Sequence, residues 1–466
     1  MHFNPLSYLL LIGLPFLIAP VHADSTKTEE FTLENGLHII VKPDHRSPVV
    51  TSQIWYKVGS SYEQEGHTGL SHFLEHLMFK GTEKHPVGDF SRIMSENGAS
   101  QNAFTSADFT AFFQTLEKSR LAISFELEAD RMRALQFDDS ELQKEKRVVM
   151  EERRNRTEDE PSSLLQEHFR AVAYTTSSYQ NPVVGWMNDI ENYNMADVRA
   201  WYQQWYAPNN ATIVVVGDVE PQAVFQLAKQ YFANLSPSVI TPPPARREIE
   251  QLGERRVIVK RPAKLPILTM GYKVPTLATI APADVTDVYA LEVLAYTLSL
   301  GNSARLDKEV VRRQEIANSA SATYDLTARL ESLFTLSGVP TQKHTITELE
   351  TALREQITRL QTTLVDKAEL ERVKTLLIAS NVYEQDSVFY QAMKIGIWTT
   401  VGLDWHLLEQ YVDNIKAVTP EQIQAVAKKY LIDDHLTIGQ LEPLPIDSAD
   451  ENRHAAPAHA IQGAIQ

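Results

Sequence analysis

The chain has 466 residues, 43% of them hydrophobic and 22% charged, and a formal net charge of −16. That length and composition suit a folded protein of two or more domains with a sizeable core, and the acidic balance argues against nucleic acid and anionic membrane surfaces as partners. There is no cysteine, so disulfides are excluded and a bound metal must be held by nitrogen and oxygen.

Residues 1–23 read as a signal peptide. Leu9 to Ile18 is an apolar run too short to span a bilayer comfortably, and Val21-His22-Ala23 fits a small-x-small cleavage site. Export to a bacterial periplasm is the expectation, with no stable membrane insertion after cleavage. Residues 24–240 then read as a first domain. Phe31-Thr32-Leu33 and Leu37 to Val41 flank Asn35-Gly36, a two-residue turn signal for a hairpin. Val49 to Val58 follows as a strand, apolar at alternate positions.

A polar loop through Gly59 and Gly66 leads into Gly69 to Thr82. Leu70, Phe73, Leu74, Leu77 and Met78 recur at the spacing of one helix face. Ser71 is the expected cap of its start, and Gly81 its expected left-handed end. His72 and His76 are four apart, so both imidazoles stand on one face, a turn from each other. That suits two nitrogen ligands of a tetrahedral Zn²⁺. Glu75 lies beside them, within reach of the proton of a hydrolytic water. The pattern is H-x-x-E-H, the inverted form of the zinc-peptidase helix motif.

Gly98 to Phe113 is rich in Thr and aromatics and reads as extended backbone. Ser140 to Arg153 reads as a polar helix with a thin apolar stripe at Leu142, Val149 and Met150. Glu145 and Glu152 are seven apart and share nearly one face, with Glu151 rotated about a quarter turn away. One of the pair can complete a metal site while the other orients its neighbours.

A helix capped by Asn194, a buried strand from Ala211 to Asp218 and a helix from Pro221 to Leu235 complete the first domain. Pro237 and the run Pro242-Pro243-Pro244 mark a linker, placed at 241–250. Residues 251–444 repeat the plan. A helix starting at Thr419-Pro420 and a strand ending Leu441-Glu442-Pro443 mirror the helix and strand that end Val219-Glu220-Pro221. The fold class read from this is α+β, two similar mixed α/β sandwich domains, the second without the metal motif. The tail, 445–466, reads as disordered.

These spacings together resemble the inverzincin peptidases of the pitrilysin family, which includes insulin-degrading enzyme and the mitochondrial processing peptidase. That family pairs H-x-x-E-H with a later glutamate that stands seven residues after another. Carried onto this sequence, the resemblance implies one Zn²⁺ per chain on His72, His76 and Glu152, with Glu75 as general base and Glu145 as the accessory glutamate. It also implies that the segment containing Asn102, Ala103 and Thr105 is an edge strand to which a peptide substrate adds as a further strand. The implied activity is that of an exported zinc metalloendopeptidase acting on unstructured peptides or small proteins; the rival is a non-catalytic scaffold. The family closes four such domains around its substrate, so a dimer is implied. The family's second domain carries an Arg and a Tyr seven apart that bind substrate. Here Asn318 stands where the Tyr belongs, and Arg312 or Arg313 only approximates the Arg register. The implied partner is therefore a similar chain that carries the Arg/Tyr pair.

Overall fold

The structure, a computed structural model, describes residues 27–446 apart from Ala245. The expected signal peptide lies outside the described residues, as does all of the expected tail except Pro445 and Ile446.

The first half builds a six-stranded sheet from β1 (Glu29–Thr32), β2 (His38–Pro43), β3 (Val49–Tyr56), β4 (Ser100–Thr105), β5 (Thr110–Glu117) and β6 (Ala211–Gly217), in the order β1-β2-β6-β3-β5-β4. The hairpin β1–β2 forms around Asn35-Gly36. Gly36 takes φ of +89°, and a side chain there would press on Asn209, so the turn requires glycine. Among the described residues, β4 pairs only with β5 and leaves its other edge free. Eight helices belong to this half: α1 (Leu70–Leu77), α2 (Asp89–Glu96), α3 (Leu121–Ala134), α4 (Asp139–Arg153), α5 (Pro161–Ala173), α6 (Met187–Asn192), α7 (Met195–Trp205) and α8 (Pro221–Phe232).

The second half builds a five-stranded sheet from β7 (Arg255–Pro262), β8 (Ile267–Val274), β9 (Ala317–Thr323), β10 (Ser332–Pro340) and β11 (Leu436–Leu444), in the order β7-β11-β8-β10-β9. Its helices are α9 (Val285–Ser299), α10 (Ile346–Thr362), α11 (Lys367–Glu384), α12 (Val388–Thr400), α13 (Leu407–Ala417) and α14 (Pro420–Tyr430). The pairing pattern repeats that of the first sheet. β2–β6 and β7–β11 are the parallel pairs, each followed by antiparallel strands out to a free edge at β4 or β9. The duplication read from α7–β6 and α14–β11 thus extends to five strands of each sheet, with β1 the addition to the first. Both helices start on side-chain caps, Asn194 for α7 and Thr419 with Gln422 for α14.

The halves exchange helices. α5, from the first half, lies across β7 and β11 of the second sheet, and α12, from the second half, lies across β3 and β6 of the first. Close approach is made possible by glycines. Phe169 of α5 packs where Gly271 and Gly439 have no side chain, and Trp55 of β3 sits where a Cβ on Gly396 would overlap its ring. Trp55 is only 1% exposed and belongs to one continuous apolar core with residues of the second half, including Trp398 and Met270. An ion pair from Arg329 to Asp108, at 3.1 Å, adds a polar tie between the halves. Among the described residues, no helix is long and apolar enough to cross a membrane.

Candidate metal centre

Helix α1 carries His72, Glu75 and His76, and its buried stripe of Leu70, Phe73, Leu74 and Leu77 fixes which way they face. Its start differs from the sequence expectation. Ser71 does not cap it; the Ser71 hydroxyl is buried without a partner. The cap comes from Glu63, whose carboxylate accepts the N–H groups of Gly69 at 2.5 Å and Ser71 at 2.7 Å. The loop before α1 turns through Gly69 at φ +89° and brings a negative charge to the helix N-terminus, where the dipole and the free N–H groups favour it. Burial nonetheless lifts the Glu63 carboxyl to about 7. The helix also ends earlier than expected, at Leu77. Gly81 is left-handed, with φ +92°, but in the turn that follows.

Helix α4 packs beside α1 and delivers the two glutamates. The Nε2 atom of His76 is 3.3 Å from Oε2 of Glu152, and that of His72 is 3.8 Å from Oε1. One ligand atom each from His72, His76 and Glu152 lies within 4.8 Å of the others. Zinc–nitrogen and zinc–oxygen bonds of about 2.0–2.1 Å place neighbouring tetrahedral ligands roughly 3.3 Å apart. The His76–Glu152 side already has that length, and the longer sides must close by up to about 1.5 Å to hold a zinc ion; the donor set of two imidazoles and a carboxylate fits one. Glu151 points away and pairs with Arg154 on the exposed side.

The surrounding charges suit that donor set. Burial and the neighbouring His76 push His72 down to about 4, keeping its imidazole neutral. Burial opposes charge on His76 too, but its contacts with Glu145 and Glu152 lift it to about 9. Against its own burial, Glu152 is held near 2 by His76, His72 and Arg156. Glu145 lies 2.8 Å from Nδ1 of His76 and takes Lys80 on its other oxygen at 2.6 Å. It is thus the group that orients His76. Arg156 meets Oε1 of Glu152 at 2.5 Å. Lys80 and Arg156 went unread in the sequence, although Arg156 stands four residues after Glu152, which it meets, and Lys80 four after His76, whose partner Glu145 it meets. Glu63 left no local signal.

Edge strand β4 runs beside α1. The Thr105 hydroxyl donates to Oε2 of Glu75; burial raises the Glu75 carboxyl, and this bond offsets part of the rise. The Asn102 side chain is exposed, and its Oδ1 accepts the N–H of Ala103 at 2.9 Å. In the second half, Asn318 lies exposed on edge strand β9 and donates to the Pro340 carbonyl at 3.1 Å. Arg312 and Arg313 pair with Asp307 and Glu309, both at 2.8 Å. The partners of these three therefore lie in the second half, not in the cluster of His72, His76 and Glu152.

The family model described as "Insulinase (Peptidase family M16)" matches residues 38–185, and the model described as "Peptidase M16 inactive domain" matches residues 192–377. Zinc protease PqqE of Helicobacter pylori is 35% identical over 378 residues, covering 79% of this chain and 82% of that protein. The chain belongs to peptidase family M16. A solved structure of a protease from Helicobacter pylori superposes with a TM-score of 0.85 at 30% identity, covering 90% of this chain and all of that one. The probable mitochondrial-processing peptidase subunit beta of Arabidopsis thaliana is 23% identical, covering 97% of this chain and 85% of that protein. The periplasmic protease PqqL of Escherichia coli shares the fold, with a TM-score of 0.74 at 17% identity, and this chain covers 51% of it. Names of relatives across the family include zinc protease and processing peptidase, so the family is one of metallopeptidases of duplicated α+β fold.

Proposed function

We propose that this chain is the zinc-bearing half of an exported metalloendopeptidase that cleaves unstructured peptides and small proteins. The observation that carries this reading is the convergence of ligand atoms from His72, His76 and Glu152 within 4.8 Å, on and beside the helix that also bears Glu75. His72, His76 and Glu152 hold one Zn²⁺, and Glu145 with Lys80 keeps His76 in its orientation. Bound there, the ion supplies Lewis acidity that polarises the scissile carbonyl and makes water a competent nucleophile at neutral pH. Glu75 takes the proton of that water and returns it to the leaving amine. Its burial raises its proton affinity, which helps it to carry the proton between those two events. The substrate lies along the free edge of β4. Its main chain takes over the Ala103 N–H now held by Asn102, so backbone bonds outweigh sequence preference. The Thr105 bond to Glu75 ties that strand to the base.

The same reading makes the active enzyme a heterodimer. Val311 stands seven residues before Asn318, so neither member of the family's Arg/Tyr pair is present in that register. Losing a donor to the developing oxyanion typically costs ~10²–10³ in rate. A similar chain that carries the pair and faces this zinc supplies it. Residues 1–23 support export, and the likeness to PqqL, a periplasmic protease, points the same way. The test is peptide hydrolysis by the purified chain, alone and with its genomic neighbour of similar length. The heterodimer requires strong stimulation by the neighbour; full activity of the chain alone, unchanged on mixing, overturns it.

A further inference from the structure

The second half contains a cavity of about 300 Å³ that takes no part in the metal centre. Its walls include Tyr296, Tyr324, Trp398 and Tyr411, and α9 contributes Glu292. Glu292 is only 8% exposed. One of its oxygens accepts the Tyr411 hydroxyl at 2.8 Å; the other, Oε2, is buried and has no partner. Three other charged groups line the cavity, and each is already engaged. Asp325 accepts from the N–H and hydroxyl of Thr327 at 2.8 and 2.7 Å. Glu384 pairs with Lys394, which also donates to Asn381.

A carboxylate oxygen left without a donor among aromatic walls is costly, because burial disfavours the charge, and the Tyr411 bond and the Lys394 charge offset that only in part. Burial accordingly raises Glu292 to about 8, and the group holds its proton at neutral pH until a cation arrives. Aromatic faces attract cations through their quadrupole, most of all where water is displaced. A metal ion fits poorly, since it needs several converging oxygen or nitrogen donors, and among the described residues the group of His, Asp and Glu close enough to hold one is His72, His76 and Glu152, not the lining of this cavity. An anion meets the same carboxylate. What matches one free carboxylate oxygen, aromatic walls and this volume is a compact organic monocation.

We propose that this cavity binds an alkylammonium or alkylguanidinium group, with its N–H donors on Oε2 of Glu292 and its carbon chain and charge against Tyr296, Tyr324 and Trp398. Two sources can present that chemistry. One is a free amine. The other is a basic side chain of a peptide, because a neighbouring cavity of about 520 Å³ shares Tyr324, Asp325, Thr327 and Ile397 with this one. That neighbour reaches Ser106 and Phe109, in the turn beyond β4. The site stands whether or not the chain is a peptidase, since it shares no residue with the metal centre.

The test is calorimetric titration of the full chain with n-butylammonium, n-propylguanidinium, an acetylated and amidated Ala-Ala-Arg-Ala peptide, and uncharged n-butanol, each up to about 10 mM. At least one cationic probe should bind and butanol should not. Near neutral pH the heat should change with the ionisation enthalpy of the buffer, because Glu292 gives up its proton as the cation enters. Glu292→Gln keeps the shape and the acceptor for Tyr411, and should weaken the cation by about tenfold or more. Trp398→Leu should weaken cationic probes severalfold. Binding of the free cations assigns the site to a small amine, and binding of the peptide alone assigns it to a substrate side chain. Absence of binding by all cations, equal binding of butanol and butylammonium, or unchanged binding in Glu292→Gln overturns the proposal. The butanol comparison uses the unmodified protein and holds even if a variant fails to fold.

Discussion

Glu145 offers the sharpest test of how the metal centre is held. Its side chain is 6% exposed and joins His76 Nδ1 at 2.8 Å to Lys80 at 2.6 Å. Glu145→Gln keeps an acceptor for His76 but removes the charge and leaves Lys80 unpaired. Glu145→Ala removes both contacts and lets the imidazole rotate. Removing a group that orients a metal ligand typically costs about 10–100-fold in affinity, or about 1.4–2.8 kcal/mol at 1.4 kcal/mol per factor of ten. The Gln variant belongs near the lower end and the Ala variant near the upper. Competition for Zn²⁺ against a chromophoric chelator measures both. Glu151→Gln is the control, since Glu151 faces solvent beside Arg154, and it should bind as the parent does. Unchanged affinity in Glu145→Ala, or weakened affinity in Glu151→Gln, refutes the assignment of the α4 face.

Three further outcomes follow from the fold. Glu248 is buried against its own charge, yet Lys273 and the N–H groups of Thr175, Thr176 and Ser177 hold it near 2, below the ordinary 4.5. Its folded value is depressed, so the stability it contributes is present above about 4.5 and lost as pH falls toward 2; thermal melts should show the parent's advantage over Glu248→Gln fading across that window. Gly396→Ala places a methyl against the Trp55 ring and should cost about 1–3 kcal/mol in denaturant unfolding. Glu63→Ala uncaps α1 and should cost about 0.5–2 kcal/mol, with weaker zinc binding as a second readout.

Much of the site was legible because helices impose a fixed period. A separation of four from His72 to His76, and of seven from Glu145 to Glu152, places each pair on one face whatever surrounds it. The strand and turn chemistry of Asn35-Gly36, and the matching ends of the two halves, likewise sit in short local patterns. What stayed hidden depends on tertiary closure. Ser71 is the natural local cap, but the loop through Gly69 brings Glu63 to the same N–H groups, and no spacing rule links Glu63 to them. An amphipathic pattern says that α5 and α12 bury a face, not that each buries it under the other half's sheet. Glu292 is in sequence one of several polar residues of α9, and only packing shows that its second oxygen has no partner.

The most direct test of the central claim compares the parent and Glu75→Gln, both loaded with zinc and mixed with the companion chain, for metal content and peptide hydrolysis. Glu75 lies between the two histidine ligands on α1 but is not one of the converging donors. The account predicts one zinc per chain in both proteins and hydrolysis by the parent only. Hydrolysis at the parent's rate by zinc-loaded Glu75→Gln would contradict it.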